Sequence, residues 1–347
     1  MQRSPASRTR PTKPKQNSMS LFGKRESTLE MLVDGKFVCT ECNKLLHLAN
    51  YTPLVAGQCE HCHKVNFIPM KVGDFFLIGP LGGGGMGAVY RSLCVNATEE
   101  YAVKVLPRGG LTDADLIGNL QSEAQVANAL RSHPCLANLV DSGFADGEHY
   151  MAMEFIKGER LDSHIERLSK LPEFDVLLIG LRLLSALAHI YSCGYLFRDM
   201  KPQNVIVTAD AGAFLFDFGI CMSLEDSLID HGDTIVGSPI YFPPERILGE
   251  GERGCSEIYS LGMVLYFAVS GSNYFTAKEI DAIARQHVRS ARLSTMEHKL
   301  KDISPDIATI IDRMIRRPMD ERYQTFAEVE RDMTRSLQTR LNPASAA

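Results

Sequence analysis

The sequence has no apolar run approaching the roughly 18 residues that a membrane-spanning helix requires. The longest candidate, residues 258–269, is short and is interrupted by Ser260 and Gly262. Residues 29–73 also contain no concentrated stripe of lysine and arginine, which argues against nucleic-acid binding by this segment. We therefore expect a cytoplasmic protein that contacts neither membrane nor nucleic acid.

Acidic residues are absent from residues 1–25, which carry seven Lys or Arg and three prolines. Because the whole chain carries −5 and this segment +7, the remaining residues carry −12. With few apolar residues before Leu21, residues 1–28 are predicted to form a disordered basic tail. An organelle transit peptide is the alternative, although three prolines disfavour the amphipathic helix that it requires.

Cysteine is present in an odd number, nine, so complete disulfide pairing is excluded. Four cysteines form two C-x-x-C pairs, and five are scattered among apolar neighbours: Cys94, Cys135, Cys193, Cys221 and Cys255. This pattern is typical of a protein from a reducing compartment.

The two pairs, Cys39/Cys42 and Cys59/Cys62, are separated by 16 residues. This spacing predicts two knuckles that present four thiolates to one Zn²⁺ ion, in a zinc-ribbon-like unit over residues 29–73. Four thiolates close the coordination shell, so the zinc is predicted to be structural. Redox-active or disulfide-paired cysteines are the alternative. Three nearby histidines are substitute ligands or solvated side chains: His47, His61 and His63.

Only 11 residues separate Cys62 from Asp74, where the next region begins. We therefore expect the ribbon-like unit to contact the strands that follow it. Its role is predicted to be partner docking or structural attachment.

A glycine cluster lies between the first two strands of a predicted antiparallel sheet that starts near Asp74. Gly82, Gly84, Gly87 and Val89 match the pattern G-x-G-x-x-G-x-V, in which backbone N–H groups approach phosphates. A dinucleotide-binding loop shares these glycines but opens a helix, whereas a β-branched, aromatic strand follows here.

The third predicted strand, residues 101–106, contains Lys104 in Ala102-Val103-Lys104, a pattern whose lysine contacts nucleotide phosphates. The predicted helix over residues 113–131 contains Glu123, the only glutamate between this strand and Glu148. Glu123 is therefore the candidate ion-pair partner of Lys104.

Two further motifs follow a predicted core helix with an apolar stripe at Leu177, Leu181, Leu184, Ala188 and Tyr191. Residues 197–204 (FRDMKPQN) are similar to the H-R-D-L-x-x-x-N pattern, and residues 217–219 read D-F-G. Their order and spacing, downstream of the glycine cluster and Lys104, exclude coincidence.

Residues 74–337 thus resemble the bacterial eukaryotic-like Ser/Thr protein kinases, which leaves 338–347 as a C-terminal tail. The resemblance implies an α+β, two-lobed kinase fold, with a β-rich N-lobe and a helical C-lobe, preceded by the zinc-ribbon-like unit. It implies transfer of the ATP γ-phosphate to Ser or Thr hydroxyls of protein substrates. Autophosphorylation of the activation segment is expected as well.

By this resemblance, Asp199 accepts the proton of the substrate hydroxyl, and Asn204 and Asp217 hold Mg²⁺. Lys201 stabilises the transferring phosphoryl group, and Lys104 binds phosphate while paired with Glu123. The resemblance also implies a nucleotide site formed with Leu81, Gly82, Gly84, Gly87, Val89, Ala102, Glu154, Ile156 and Ile206.

The activation segment is expected over residues 217–245. Because Arg198 precedes the catalytic Asp199, the resemblance implies activation by a phosphate that gains bonds to arginine. Thr234 is the first candidate site, Ser223 and Ser227 are alternatives, and Ser238 is expected to have a structural role near Asp199. The alternative is that all four are ordinary loop hydroxyls.

The segment's close also resembles the family, with Pro243 in place of alanine and Glu245 expected to pair with Arg322. Phe197 replaces the usual histidine and is expected to pack on Phe218. Glu257 replaces the aspartate that braces the catalytic-loop backbone, so one extra methylene must be absorbed.

Two other functions are open. A pseudokinase would act as a nucleotide-binding or scaffolding module, and a small-molecule phosphotransferase would share the fold. The complete phosphoryl-transfer set favours activity, and the long activation segment favours protein substrates.

Overall fold

The structure is a computed structural model that describes residues 27–84, 87–107, 113–228, 238–275, 277, 279–289 and 302–342. The chain forms two compact units. The first comprises Met1–Leu81 and Tyr90–Glu100, and the second Gly82–Val89 and Tyr101–Ala347. The domain boundaries drawn from the sequence stay a prediction.

The first unit begins with a short helix, followed by two antiparallel hairpins. Helix α1 starts after Thr28, whose hydroxyl oxygen accepts a bond from the Met31 N–H group. The elements are α1 Leu29–Val33, β1 Lys36–Val38, β2 Leu45–His47, β3 Ala56–Gln58 and β4 Val65–Phe67. Strand β1 pairs with β2 and β3 with β4, so each hairpin turn carries one cysteine pair.

The strands β5 Met70–Val72, β6 Phe75–Gly84 and β7 Gly87–Cys94 follow the hairpins. Phe76 of β6 is buried in one apolar cluster with Leu32, Phe37 and Ile68 of the ribbon-like segment, and Leu93 of β7 packs against it. All of these residues belong to the first unit. The predicted contact between the ribbon-like segment and the strands that follow is therefore confirmed.

The second unit contains a hairpin of β9 Leu139–Ala145 and β10 Glu148–Glu154, and β10 also pairs antiparallel with β8 Glu100–Val105. Asp146 and Gly147 both have positive φ, 51° and 86°, as a tight two-residue hairpin turn requires. The register sets Lys104 opposite Met151 and Ala102 opposite Met153.

Helix α2, Ala114–Leu130, begins after Asp113, whose carboxylate accepts the N–H groups of Asp115 and Leu116. The helix predicted over residues 113–131 is thus confirmed. Its buried face contains Leu120 and Ala124, which pack with Met153 of β10. Glu123 lies on the same buried face and is the only charged residue there.

Besides α2, the described part of the second unit contains seven α-helices. They are α3 Leu161–Leu168, α4 Glu173–Ser192, α5 Pro244–Ile247, α6 Gly254–Ser270, α7 Ile280–Arg289, α8 Pro305–Met314 and α9 Phe326–Leu341. One apolar core joins α4, α6, α8 and α9. Gly180 of α4 allows close approach, because a Cβ atom there would lie 2.4 Å from the Met333 side chain of α9.

Helix α4 confirms the core helix expected before the catalytic motifs, but its buried face is rotated. Leu183, Leu187 and Ile190 are buried, whereas Tyr191 of the predicted stripe is exposed. In the described part of the chain, α4 alone has the length and hydropathy of a membrane-spanning helix, which the sequence analysis overlooked. Half of that apolar window is buried inside the fold, as expected for a core helix.

Two small sheets position the catalytic motifs. Strands β11 Glu159–Arg160, β13 Val205–Val207 and β14 Ala213–Leu215 form one, and β12 Tyr195–Leu196 pairs with β15 Met222–Ser223 in the other. The R-D-x-K-x-x-N segment connects β12 to β13, and D-F-G connects β14 to β15.

Candidate active site

Asp199 lies in the loop between β12 and β13, with 8% of its surface exposed. Its carboxylate oxygen Oδ2 accepts hydrogen bonds from Lys201 Nζ and from Asn204 Nδ2, both at 2.7 Å. The Asn204 amide also donates to the Asp199 carbonyl at 3.1 Å. The loop therefore brings together the predicted base, its lysine and the amide, and it fixes the orientation of the carboxylate.

Asp217 is placed beside this loop by the pairing of β13 and β14, in which Val205 lies opposite Leu215. One residue farther along, the Phe216 N–H group donates to the Asn204 carbonyl at 3.2 Å. Asp217 follows in the left-handed region, with φ 69°. Asn204 and Asp217 thus offer amide and carboxylate oxygens, the hard ligands that suit Mg²⁺.

Lys104 and Glu123 form the predicted ion pair, with 2.6 Å between Nζ and Oε2. Both side chains are largely buried, at 13% and 4% exposure. Burial raises the pKa of Glu123, and Asp217 adds to this increase, whereas Lys104 opposes it. Asp217 is therefore close enough to influence Glu123 electrostatically, and a Cβ atom at Gly219 would lie 3.4 Å from Asp217 Oδ1 and 3.5 Å from Glu123 Oε2.

The glycine cluster spans the end of β6 and the start of β7. Gly87 has φ 131°, and a Cβ atom there would lie 2.6 Å from the Val105 carbonyl oxygen. Only glycine fits this position, because both the backbone conformation and the space exclude a side chain. Residues 85 and 86 lie outside the described residues.

The residues predicted to line the nucleotide site come from separate elements. They are Leu81, Gly82 and Gly84 on β6, Gly87 and Val89 on β7, Ala102 on β8, Glu154 on β10, Ile206 on β13, and Ile156 just after β10. Leu81 belongs to the first unit, and the other eight belong to the second. Gly158 allows the segment after β10 to approach β13, since a Cβ atom there would lie 2.3 Å from the Val207 carbonyl oxygen.

A family model described as the protein kinase domain matches residues 75–332. The chain belongs to the protein kinase domain family. Its strand-rich N-lobe and helical C-lobe are those of that family, and the sequence prediction of the fold is confirmed.

Among the relatives of this kinase domain are three bacterial proteins. The chain is 31% identical over 261 residues to a probable serine/threonine-protein kinase of Clostridium perfringens, which covers 74% of this chain and 37% of that protein. It is 29% identical to the serine/threonine-protein kinase PrkC of Bacillus subtilis, over 75% of this chain and 40% of that protein. It is 29% identical to the serine/threonine-protein kinase PknB of Mycobacterium leprae, with coverages of 77% and 44%. The chain thus spans about two fifths of the length of these relatives.

Phe197 occupies the histidine position of the kinase domain's catalytic loop and is fully buried. Its ring meets that of Phe218 edge to face, with 6.1 Å between centroids and 75° between planes. The predicted aromatic packing is confirmed. It anchors the D-F-G segment to the catalytic loop through an apolar contact.

Glu257, on α6, braces the catalytic loop as predicted. Its Oε1 atom accepts the Arg198 N–H group at 2.7 Å, so the longer side chain still reaches the backbone. Its second oxygen, Oε2, is buried with no hydrogen-bond partner among the described residues. Burial therefore raises the pKa of Glu257 from 4.5 to about 7, although the Arg198 N–H bond opposes the increase.

This raised pKa predicts that the contribution of Glu257 to the free energy of unfolding falls as pH rises. Between pH 4.5 and about 7 the folded protein retains a proton that the unfolded chain has released, so the contribution of Glu257 is lost as pH rises through this window. The shift corresponds to about 3 kcal/mol in the free energy of unfolding. Urea unfolding at pH 5 and pH 8 should show a larger loss for the parent than for Glu257→Gln. Parallel pH profiles of the two proteins would contradict the assignment.

A phosphate on the activation segment was expected to gain bonds to arginine, and in the structure the Arg198 guanidinium is paired with Glu252 at 2.8 Å. Arg246 binds the same carboxylate at 2.6 Å. Activation by a phosphate on the activation segment stays a prediction. Glu252 and Arg246 were not predicted from the sequence, since neither belongs to a motif and Glu252 lies 54 positions from Arg198.

The candidate phosphorylation sites differ in accessibility. Ser227 is buried and donates to the Leu224 and Glu252 carbonyls, so its hydroxyl is not available to a kinase in this conformation. Ser223 donates to the Asp226 carboxylate at 2.6 Å. Thr234 lies outside the described residues, and the structural role of Ser238 stays a prediction.

The predicted pair of Glu245 and Arg322 is confirmed, at the end of the activation segment. The two groups form parallel bonds of 2.7 and 2.8 Å, and both side chains are almost fully buried. A buried, bidentate pair of this kind fixes the segment's end to the helices of the C-lobe.

The four cysteines of the first unit form a separate candidate metal centre. Their Sγ atoms all lie within 4.8 Å of one another, with 3.6 Å between Cys39 and Cys62 and 3.7 Å between Cys42 and Cys59. The donor set fits one tetrahedral Zn²⁺ ion. All nine cysteines are free, and the three nearby histidines are solvent-exposed: His47, His61 and His63.

Asn66 links the two cysteine knuckles. This residue was not predicted from the sequence. It is buried, and its amide donates to Cys39 Sγ at 3.5 Å and to the Lys64 carbonyl at 2.9 Å. Its oxygen accepts the Thr40 N–H group at 2.9 Å. Burial raises the pKa of Cys39, but N–H donors from the backbone and from Asn66 outweigh it and lower the pKa to about 6. Cys39 thus favours thiolate, the form that binds metal. For Cys62, a bond from the Lys64 backbone lowers the pKa, but burial and the three neighbouring thiols outweigh it and raise the pKa to about 12.

Proposed function

We propose that this chain is an active protein kinase that transfers the γ-phosphate of ATP to Ser or Thr hydroxyls of protein substrates, including its own activation segment. The observation that carries the proposal is the Asp199 carboxylate held by both Lys201 and Asn204 at 2.7 Å. The ion pair between Lys104 and Glu123 also supports the proposal. A scaffold would not need these two arrangements together.

The residues of this chain position the reactants and manage charge. Asp199 Oδ2 would accept the proton of the attacking hydroxyl, while Lys201 remains beside it to neutralise charge on the transferred group. Lys104, fixed by Glu123, would hold the nucleotide phosphates. When bound, MgATP supplies the phosphoryl group, and the metal would be held by Asn204 and Asp217.

The choice of Ser and Thr over Tyr is supported by Lys201, which lies two residues after the base and reaches its carboxylate. The three bacterial relatives described above are named as serine/threonine-protein kinases, one of them as a probable one. The substrate class is therefore proposed from the catalytic loop and from these relatives together.

We also propose that the cysteine cluster holds one structural zinc ion and that the protein is cytoplasmic. The mutual spacing of the four sulfur atoms supports zinc. The ribbon-like segment is proposed to attach to strands β6 and β7 and to offer its outer face to a protein partner. The apolar cluster around Phe76 supports the attachment.

The test uses the full chain with labelled ATP, Mg²⁺ and a generic basic protein. We expect label on phosphoserine and phosphothreonine, both in the added protein and in the chain itself, and none with Asp199→Asn. ATP binding by the parent without any transfer would instead identify a pseudokinase. Label confined to a small molecule would favour the other alternative.

A further inference from the structure

Two guanidinium groups close on one buried carboxylate beside the catalytic loop. Arg198 Nε and Nη2 both lie 2.8 Å from Glu252 Oε1. Arg246 Nη2 lies 2.6 Å from Glu252 Oε2, and its Nε lies 3.0 Å from both oxygens. Only 6% of the Glu252 side chain and 8% of the Arg246 side chain are exposed. The group is therefore shielded from solvent, where charge-assisted bonds are strong.

This arrangement holds a strained backbone position. Arg198 has φ 66°, in the left-handed region that side-chain-bearing residues rarely adopt. Its N–H group donates to Glu257, and its carbonyl accepts Arg246 Nη1 at 2.6 Å. Glu252 binds both arginines, so it orients the Arg246 guanidinium. That guanidinium donates to the Arg198 carbonyl, immediately before Asp199. Loss of the Glu252 charge would loosen the support of the base.

The backbone of Glu252 is itself tied to the activation segment. Its N–H group donates to the Ser227 carbonyl at 2.9 Å, and the Ser227 hydroxyl donates to its carbonyl at 3.3 Å. The carboxylate therefore connects the activation segment to the catalytic loop. From the sequence, a phosphate on the activation segment was expected to make this connection by binding arginine.

Each nitrogen of this arginine pair already has a contact among the described residues. The third nitrogen of Arg198, Nη1, lies 3.2 Å from Met222 Sδ, and that of Arg246 is bound to the Arg198 carbonyl. Burial and the charge of Arg246 lower the pKa of Arg198, while Glu252 opposes this. The two close cations need an anion, and Glu252 already supplies it.

We propose that Glu252 is a positioning residue that takes the place of an activation-segment phosphate, so that the catalytic loop is assembled without phosphorylation. The inference rests on the proposed kinase activity. If Glu252 has this role, the kinase is active before it phosphorylates itself, and autophosphorylation is not required for activity.

The experiment compares the parent chain with Glu252→Gln after complete removal of phosphate by a Ser/Thr phosphatase, verified by mass spectrometry. Glu250→Gln is the matched control, because Glu250 is exposed two residues away on the same loop. Initial rates of transfer to the basic protein are followed from the first seconds, together with KM for ATP and the thermal midpoint.

We expect the dephosphorylated parent and the control to start without a lag, at rates close to those of the phosphorylated parent. Glu252→Gln should lose kcat by roughly tenfold or more, because its base is less well positioned, with KM for ATP unchanged. If Glu252→Gln does not fold, its thermal midpoint will be lowered or absent. The presence or absence of a lag in the dephosphorylated parent then tests the inference by itself. A parent that is inactive until phosphorylated would overturn the inference and leave the kinase function intact. A parent inactive in both states would overturn both.

Discussion

Replacing Asp217 with asparagine is expected to lower kcat for phosphoryl transfer by at least about 10²-fold while the protein stays folded. The two side chains have nearly the same shape, but asparagine lacks the charge that a magnesium ligand needs at this position. Catalysis in this family depends mainly on positioning and electrostatics, so this charge matters more than any packing contact. Asp217 follows the β13–β14 pairing that aligns it with Asn204, and that pairing does not depend on its carboxylate.

The measurement is the rate of label transfer at saturating ATP over a range of Mg²⁺ concentrations, with the thermal midpoint as a check of folding. Asp320→Asn is the matched control, because Asp320 is an exposed aspartate two residues before Arg322. The control should retain the parent rate. A rate for Asp217→Asn within a few-fold of the parent would mean that the metal is held elsewhere.

Replacing Cys59 with serine is expected to remove the bound zinc and to unfold the ribbon-like segment. Cys59 is fully buried, and the segment has only a small apolar core of its own. Structural zinc in small domains contributes on the order of 10 kcal/mol of apparent binding free energy, which is free energy of folding for such a unit. Serine cannot supply the thiolate, so most of this contribution is lost.

Elemental analysis of protein purified without chelator should give one zinc per chain for the parent and none for Cys59→Ser. Amide exchange in β1 to β4 should then become fast in the variant. Cys193→Ser is the matched control. Cys193 Sγ contacts the Leu130 carbonyl, and the serine hydroxyl can still donate to that carbonyl. Full amide protection of these strands in a zinc-free protein would contradict a structural role for the metal.

Much of the site could be predicted because its chemistry is local in sequence. The D-F-G and R-D-x-K-x-x-N segments each place their groups within a few residues, so spacing alone assigns them. The cysteine pairs are equally local. Pairing between distant elements was predictable only where one candidate existed, as for Glu123 opposite Lys104 and Arg322 opposite Glu245.

Other features were not readable from the sequence. The buried face of α4 differs from the predicted stripe, because the neighbouring helices α6 and α9 decide which side of an almost entirely apolar helix is covered. Asn66 carries no pattern of its own, and only the fold brings it against Cys39. Its role depends on two hairpins meeting.

The amino-acid sequence by itself determined the family, the catalytic groups and the metal-ligating cysteines, because these depend on residue type and short spacing. Only the tertiary structure decided which anion meets Arg198. The sequence left this arginine to a phosphate, since nothing local marks Glu252 as its partner. Folding brings Glu252 and Arg246 beside Arg198. The two largely buried arginines need a carboxylate to balance their charge, and the Glu252 carboxylate thereby holds the loop that contains Asp199.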